Sequence, residues 1–168
     1  MAISDAAHTE QQLLELLWAS GEFIQVSFWG QSQLSDNDRD ALRHTDALLR
    51  WTPDVLGITT TNDAMLFDAK SSTEQYKDSQ NVTVEISAVV ALGIYKGLVA
   101  DALFVFDNQY QATAEQVKAE GRKLEGSANG SGTPFFLVPK DALDPFQVGS
   151  TDMWALHQAT TNLENRVD

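Results

Sequence analysis

The chain has 168 residues, a length that suits a single domain with a sizeable hydrophobic core. Its formal net charge of −13 at pH 7 argues against a general nucleic-acid-binding protein, because contacts with phosphate dominate the affinity of such proteins. It has no cysteine, which excludes disulfides, thiolate metal sites and cysteine nucleophiles. Its three histidines are scattered along the sequence, so a histidine-rich metal site is not expected. Any metal site is therefore expected to use oxygen ligands, which favours Mg²⁺ or Mn²⁺.

The N-terminal part of the chain predicts a helix followed by a strand. The helix is expected over Thr9–Ala19, with a broad apolar face and an end at Ser20-Gly21. Glu10 falls near the centre of that apolar face, where a carboxylate needs a partner; the alternative is that it only favours the helix dipole from the first turn. The alternation of residues over Phe23–Phe28 predicts the first strand.

A polar segment, residues 30–51, follows this strand and is interpreted as an insert. Ser35 is expected to cap a helix that continues toward Arg50. Arg39, Arg43 and Arg50 are spaced by four and then seven positions, so they share one face of that predicted helix. This face either contacts phosphates or is a solvated surface paired with neighbouring aspartates.

A predicted hairpin after the insert brings three charged side chains together. Its strands are expected at Val55–Ile58 and Ala64–Phe67, joined by a tight turn. Asp54 precedes the first strand, while Asp68 and Lys70 follow the second and point to the same face. Two carboxylates and one ammonium are therefore expected where a divalent cation and a phosphate could meet. The simpler alternative is an exposed Asp68–Lys70 ion pair that contributes little.

The rest of the chain predicts alternating helices and strands. The expected elements are a polar connection at 71–80, a buried helix over Val84–Leu98 that starts at Asn81 or Thr83, a core strand at Leu103–Phe106, a helix over Ala112–Leu124, a strand at Phe135–Val138 and a short helix near Trp154 and Leu156. Strands joined by helices indicate the α/β class, with a mixed central sheet flanked by helices. We expect residues 1–160 to form one domain and 161–168 a flexible tail.

The two fragments Pro53-Asp54 and Asp68-Ala69-Lys70 resemble the first and second motifs of the PD-(D/E)XK nuclease superfamily, with Asp in place of the commoner Glu. This superfamily includes restriction endonucleases and archaeal Holliday-junction resolvases. The resemblance covers roughly Thr9–Phe106 and implies a restriction-endonuclease-like fold with an αβββαβ core. It also implies metal-dependent hydrolysis of DNA phosphodiester bonds, with Mg²⁺ or Mn²⁺ as the cofactor.

The resemblance also implies roles for individual residues. Asp54 and Asp68 are expected to bind the metal, the Ala69 carbonyl is a plausible further ligand, and Lys70 is expected to act as a base or as an electrostatic partner. Glu10 resembles a helical Glu that many members place near the metal, eleven residues before a glycine that here is Gly21.

Two further sets of residues stay open at this stage. Glu85 resembles a polar residue at a helix entry that faces the site in some members; otherwise it is a first-turn helix charge. Inserts commonly set substrate choice in the superfamily, which makes Arg39, Arg43 and Arg50 candidate DNA contacts.

The expected partners follow from the same resemblance. DNA, including branched DNA, is the expected substrate, and a homodimer is expected because resolvases cut two symmetric strands. No segment approaches the roughly eighteen apolar residues that span a bilayer, and the N-terminus lacks a signal peptide, so we expect a cytoplasmic protein without membrane contact. No helix-turn-helix or zinc finger is recognisable, which leaves a partner protein as one source of targeting. The alternative function is a catalytically inactive nuclease-fold module that binds or assembles through its acidic surface.

Overall fold

The computed structural model describes residues 5–42, 45–71, 80–126 and 132–148. Its helices are α1 (Asp5–Ala19), α2 (Asp36–Leu42), α3 (Ala47–Arg50), α4 (Ile86–Lys96) and α5 (Ala114–Glu120), with short 3-10 helices at Gly30–Gln33 and Lys140–Ala142. Its strands are β1 (Phe23–Phe28), β2 (Val55–Thr59), β3 (Ala64–Lys70), β4 (Asn81–Glu85), β5 (Asp101–Phe106), β6 (Tyr110–Ala112), β7 (Arg122–Leu124), β8 (Phe135–Pro139) and β9 (Asp144–Pro145). The predicted short helix near Trp154 and Leu156 and the predicted tail lie outside the described residues.

The main sheet of the described part has the strand order β1-β2-β3-β5-β6-β9. β3 pairs with β2 in the antiparallel sense and with β5 in the parallel sense, so the sheet is mixed. The elements α1, β1, β2, β3, α4 and β5 follow each other in the predicted order, with β4 added before α4. The prediction of an α/β fold with a mixed central sheet flanked by helices is confirmed.

Successive side chains along the central strands point to opposite faces of the main sheet and pack into two hydrophobic cores, one on each face. On β3, Phe67 packs with Leu13 and Leu17 of α1, whereas the preceding Leu66 packs with Leu92 of α4 on the other face. Each face of the sheet is therefore covered by a helix. Within the described ranges, no helix combines the length and the apolar character needed to cross a membrane.

A second sheet, in the order β4-β8-β7, adds to the α4 face and corrects two predictions. The predicted helix start at Asn81 or Thr83 is wrong, because Val82 and Val84 are buried and pair with Val138 and Phe136 of β8. α4 begins at Ile86 and ends at Lys96, before Gly97.

α5 is also shorter than the predicted helix over Ala112–Leu124. A capping box between Thr113 and Gln116 fixes its start, and its last backbone bond runs from Gly121 to Val117. The residues predicted as its two ends belong instead to β6 and β7.

The insert contains two short helices rather than the predicted continuous one. The Thr45 hydroxyl donates a hydrogen bond to the Leu42 carbonyl at 2.7 Å, and Asp46 Oδ1 accepts one from the Leu48 N–H at 2.8 Å. These local side-chain bonds end α2 and start α3. Arg43 lies outside the described residues, and the argument that three arginines share one helix face does not hold.

Candidate active site

The hairpin of β2 and β3 places Asp54 beside the end of β3. Val55 pairs with Phe67, and the Asp54 N–H donates to the Phe67 carbonyl at 2.9 Å. Further along β3, the Asp54 side chain replaces a backbone carbonyl as the hydrogen-bond acceptor, since its Oδ2 accepts from the Ala69 N–H at 2.8 Å. Asp54 is thus fixed by both its backbone and its side chain.

The start of the insert supports Asp54 from the other side. The Trp29 N–H donates to the Asp54 carbonyl at 2.7 Å. The next residue, Gly30, has a φ of +68°, and a Cβ at this position would lie 2.5 Å from Thr52 Oγ1. Because any larger residue would be both strained and in collision, glycine is required where the insert passes the segment before Asp54.

Asp68 and Lys70 form a largely buried ion pair rather than the exposed pair of the simpler alternative, although 19% of the Lys70 side chain is exposed. Asp68 is 5% exposed, and its Oδ1 lies 3.3 Å from Lys70 Nζ. The Lys70 ammonium also lies 5.5 Å from the centre of the Trp51 ring and 6.0 Å from that of Phe104. Burial makes the pair strongly interdependent, because removal of either charge leaves the other uncompensated.

Asp54 carries the clearest electrostatic signature of the site. Burial raises its pKa well above the usual value for aspartate, and the charges of Asp68 and Glu10 raise it further. A side-chain hydrogen bond to Asp68 also favours the protonated form of Asp54 and so raises its pKa slightly more. Without a cation, Asp54 therefore keeps its proton to a higher pH than an ordinary aspartate.

Negative charges nearby stabilise the charged form of Lys70, whereas they destabilise the charged form of Asp54. Burial lowers the pKa of Lys70, but the carboxylates of Asp68, Glu85 and Asp54 outweigh burial and raise the pKa above that of an ordinary lysine. Lys70 is therefore an ammonium at every pH at which the protein would normally work.

Glu10 belongs to the same group of charges although it lies on α1. Burial raises its pKa, Arg39 lowers it, Asp68 raises it and Lys70 lowers it. α1 packs on the face of the sheet that Phe67 occupies, whereas the neighbouring Asp68 points to the other face.

The remaining predicted residues that the structure describes are Glu85, Arg39 and Arg50. Glu85 ends β4 at the N-cap position of α4, from which its charge acts on Lys70. Arg39 donates from Nε to the Gln31 carbonyl at 3.1 Å, and the Arg50 guanidinium lies 5.2 Å from the Trp51 ring centre.

Two residues beside the site, Trp51 and Asn108, were not identified from the sequence. The only signal for Trp51 is its position two residues before Pro53. Asn108 follows a buried strand together with Asp107, which is a turn signal but not a site signal.

The oxygen atoms at this end of the hairpin suit a hard divalent cation. The N–H and the C=O of a strand residue point to the same side, so the Ala69 carbonyl lies on the Asp54 side of β3. No cluster of three acidic or histidine side chains that could hold a metal occurs among the residues that the structure describes. Mg²⁺ nevertheless usually takes only one or two protein carboxylates and keeps several waters. Asp54, Asp68 and the Ala69 carbonyl fit that requirement, and a cation would relieve their mutual repulsion.

The fold has a solved counterpart among viral proteins. The chain is similar to the structure of a nuclease from a fusselovirus, with a TM-score of 0.51, 11% sequence identity and coverage of 95% of this chain and 98% of that chain. At this identity the likeness shows the fold alone. No protein-family model and no curated protein matches the sequence.

Proposed function

We propose that this protein is a Mg²⁺- or Mn²⁺-dependent endonuclease that hydrolyses DNA phosphodiester bonds. The observation that carries the proposal is the crowding of Asp54 and Asp68 beside the largely buried Lys70 side chain. Buried like charges cost stability, and a hairpin with a purely structural role gains nothing by keeping them. The likeness in fold to a viral nuclease supports the same reaction class.

In this reaction, the acidic residues would bind the cation and Lys70 would act on the phosphate. Asp54, Asp68 and the Ala69 carbonyl would hold the cation, and Glu10 would add a further carboxylate. When bound, such a cation lowers the pKa of a coordinated water and polarises a phosphoryl oxygen. Lys70 would stabilise the negative charge that develops on the phosphate. Because an ammonium cannot accept a proton, the raised pKa of Lys70 favours this role over that of a general base.

DNA would approach from the side of the insert. Arg39 is close enough to Glu10 to lower the pKa of that carboxyl, and Arg50 lies over Trp51, whose ring also faces Lys70. These arginines, with Arg43, are the proposed phosphate contacts. They would supply local positive charge on a chain whose net charge otherwise repels DNA.

The test is cleavage of plasmid and branched DNA by the purified protein in Mg²⁺, Mn²⁺ or EDTA. Lys70→Ala is the test variant, and Lys96→Ala is its control, because Lys96 pairs with Asp101 on the surface. We expect metal-dependent cutting that is lost in Lys70→Ala and kept in Lys96→Ala. The preferred substrate identifies the subclass. Two symmetric cuts need two sites, so we also expect a homodimer by light scattering.

A non-catalytic binding module with an acidic surface is the competing function, and calorimetry with Mn²⁺ separates the two. Mn²⁺ binding that disappears in Asp54→Asn, without cutting of any substrate, indicates an enzyme that needs a partner protein. Neither binding nor cutting, at several protein concentrations, indicates the binding module.

A further inference from the structure

A tight turn after β5 contacts two elements of the candidate site. Phe106 of β5 pairs with Tyr110 of β6, and the turn between them places Asp107 and Asn108 at φ values of 50° and 55°. This left-handed conformation is uncommon outside glycine, and Asn and Asp are the residues that tolerate it best.

The turn joins α1 to the end of β3 through two hydrogen bonds. The Asp107 N–H donates to the Lys70 carbonyl at 2.8 Å. The Asn108 side-chain Nδ2 donates to the Thr9 carbonyl at 3.2 Å, across 99 positions of sequence. Thr9 directly precedes Glu10, so one short turn touches the backbone that carries the ammonium and the backbone that carries the outlying carboxylate.

The contact between this turn and α1 bears on the position of Glu10. α1 packs through Leu13 and Leu17 against the sheet face that Phe67 occupies, whereas Asp68 points to the other face. The position of Glu10 relative to Asp68 and Lys70 therefore depends on how the N-terminal half of α1 is held against the ends of the strands.

The Asn108 side chain is more than a device for turning the chain. Its Oδ1 is buried and has no hydrogen-bond partner among the described residues, an arrangement that lowers the stability of the folded protein. Glycine would give the same positive φ without that cost. The amide is therefore best explained by the bond that its Nδ2 makes to Thr9.

We propose that Asn108 is a positioning residue that holds Glu10 at the candidate site through its hydrogen bond to the Thr9 carbonyl. This inference rests on the proposed function, because it assigns Glu10 a role in metal binding. Asn108 acts on the helix that carries Glu10 and not on the substrate.

Two variants test the bond in different ways. Asn108→Gly keeps the left-handed turn and removes the amide, while Asn108→Asp keeps the size but sets an acceptor against the Thr9 carbonyl. The matched control is Asn62→Gly, the same change at a φ of 65° in the exposed turn at the far end of the β2–β3 hairpin. We expect both Asn108 variants to lower Mn²⁺ affinity by roughly 10–100-fold in calorimetry, as removal of outer-shell support does, and Asn62→Gly to leave it unchanged.

A double-mutant cycle with Glu10→Gln separates positioning from general support of the fold. If Asn108 acts through Glu10, Asn108→Gly changes Mn²⁺ affinity less than about 2-fold in the Glu10→Gln background. An equal loss in both backgrounds, with wild-type binding intact, overturns this inference and leaves the proposed function standing. Absence of Mn²⁺ binding and of DNA cleavage in the wild-type protein overturns both.

Discussion

The surroundings of Asp54 favour its protonated form, since burial and the charges of Asp68 and Glu10 raise its pKa. The folded protein therefore keeps this proton at pH values where the unfolded chain has released it. It follows that the free energy of unfolding falls as the pH rises from about 3.9, the unfolded value, through the raised pKa.

Asp54→Asn removes this titration and keeps an oxygen that can accept from the Ala69 N–H. In EDTA at neutral pH we predict that the variant is more stable than the wild type by about 0.5–2 kcal/mol. We predict in addition that its DNA cleavage falls more than about 100-fold. Urea unfolding in a series of buffers from acid to neutral pH measures the first effect. A variant less stable than the wild type at neutral pH would contradict the assignment of the proton.

Lys70, unlike Asp54, is stabilised in its charged form, because the surrounding carboxylates raise its pKa in the folded protein. Its stabilising effect is complete below the unfolded lysine pKa of about 10.4 and is lost only as the pH rises through the folded value. Lys70→Met keeps the apolar stem beside Trp51 but leaves the carboxylates uncompensated. We predict a loss of up to about 3 kcal/mol at neutral pH, and a smaller loss in acid, where carboxylates are protonated.

The control for Lys70→Met is Lys96→Met. Lys96 lies 3.0 Å from Asp101, but both side chains are more than a third exposed, at 38% and 36%. Such a surface pair is worth about 0–1 kcal/mol. Equal losses in the two variants, measured by urea unfolding, would show that the Lys70 pair is not effectively buried.

At the scale of elements, Tyr95 of α4 contacts both the residue before the insert, Trp29, and the insert itself. Trp29 and Tyr95 stack edge to face with ring centres 5.5 Å apart, and Tyr95 Oη donates to the Leu48 carbonyl of α3 at 2.6 Å. Tyr95→Phe removes that bond at a cost of about 1 kcal/mol. Because α3 also carries Arg50, these contacts link the core of the protein to a proposed DNA contact.

We predict that Tyr95→Phe accelerates amide exchange in α3 and weakens DNA binding by up to about 5-fold, the equivalent of 1 kcal/mol, with kcat unchanged. The control is Tyr110→Phe, which removes a hydroxyl from β6 and not from the insert. A fall in kcat with unchanged DNA affinity would instead assign Tyr95 a role in the chemistry.

The elements that were predicted correctly are those whose signals lie within a few residues. The β2–β3 hairpin has alternating strands around a turn, and its register alone brings Asp54 beside Asp68. β4 was missed because its β-branched residues suit a strand and a buried helix equally, and the strand that selects between them is β8, more than fifty positions away. The break between α2 and α3 depends on the local hydrogen bonds of two side chains, those of Thr45 and Asp46.

The residues of the candidate site also differ in whether the sequence alone predicts their position. Asp54, Asp68 and Lys70 come from one hairpin, so sequence spacing places them together. Trp51 is close to Asp54 in sequence, but no pattern indicates that its ring lies beside Lys70. Asn108 reaches the site only through packing between distant segments, which no local pattern encodes. Glu10 was singled out by its unusual place on an apolar helix face and by resemblance, and the structure brings its charge to the others.

For the molecule as a whole, β3 is the strand at which the pairing in the main sheet changes from antiparallel to parallel. It pairs antiparallel with β2 and parallel with β5, and the carboxyl ends of parallel strands lie at the same edge. Lys70 at the end of β3 therefore meets the turn at the end of β5, while the hairpin returns Asp54 to the same place. The topology gathers the charged residues at one edge of the sheet, whatever reaction they perform.

The net charge of −13 leads to a prediction about DNA binding by the whole molecule. Without a divalent cation, the acidic surface and the crowded carboxylates repel phosphate, and only a few arginines oppose that repulsion. We predict that DNA affinity, measured by fluorescence anisotropy, is at least about 10-fold higher in Ca²⁺ than in EDTA, a difference of about 1.4 kcal/mol. Asp54→Asn should lose most of this gain.

The control for the Ca²⁺ effect is Asp63→Asn, which makes the same change in charge on an exposed residue in the turn of the hairpin. It should keep the gain, because the cation acts at the candidate site and not through the overall charge. If Asp54→Asn and Asp63→Asn behave alike, Ca²⁺ acts only by general screening. If DNA binds as tightly in EDTA as in Ca²⁺, the arginines of the insert outweigh the acidic surface, and binding is independent of the metal.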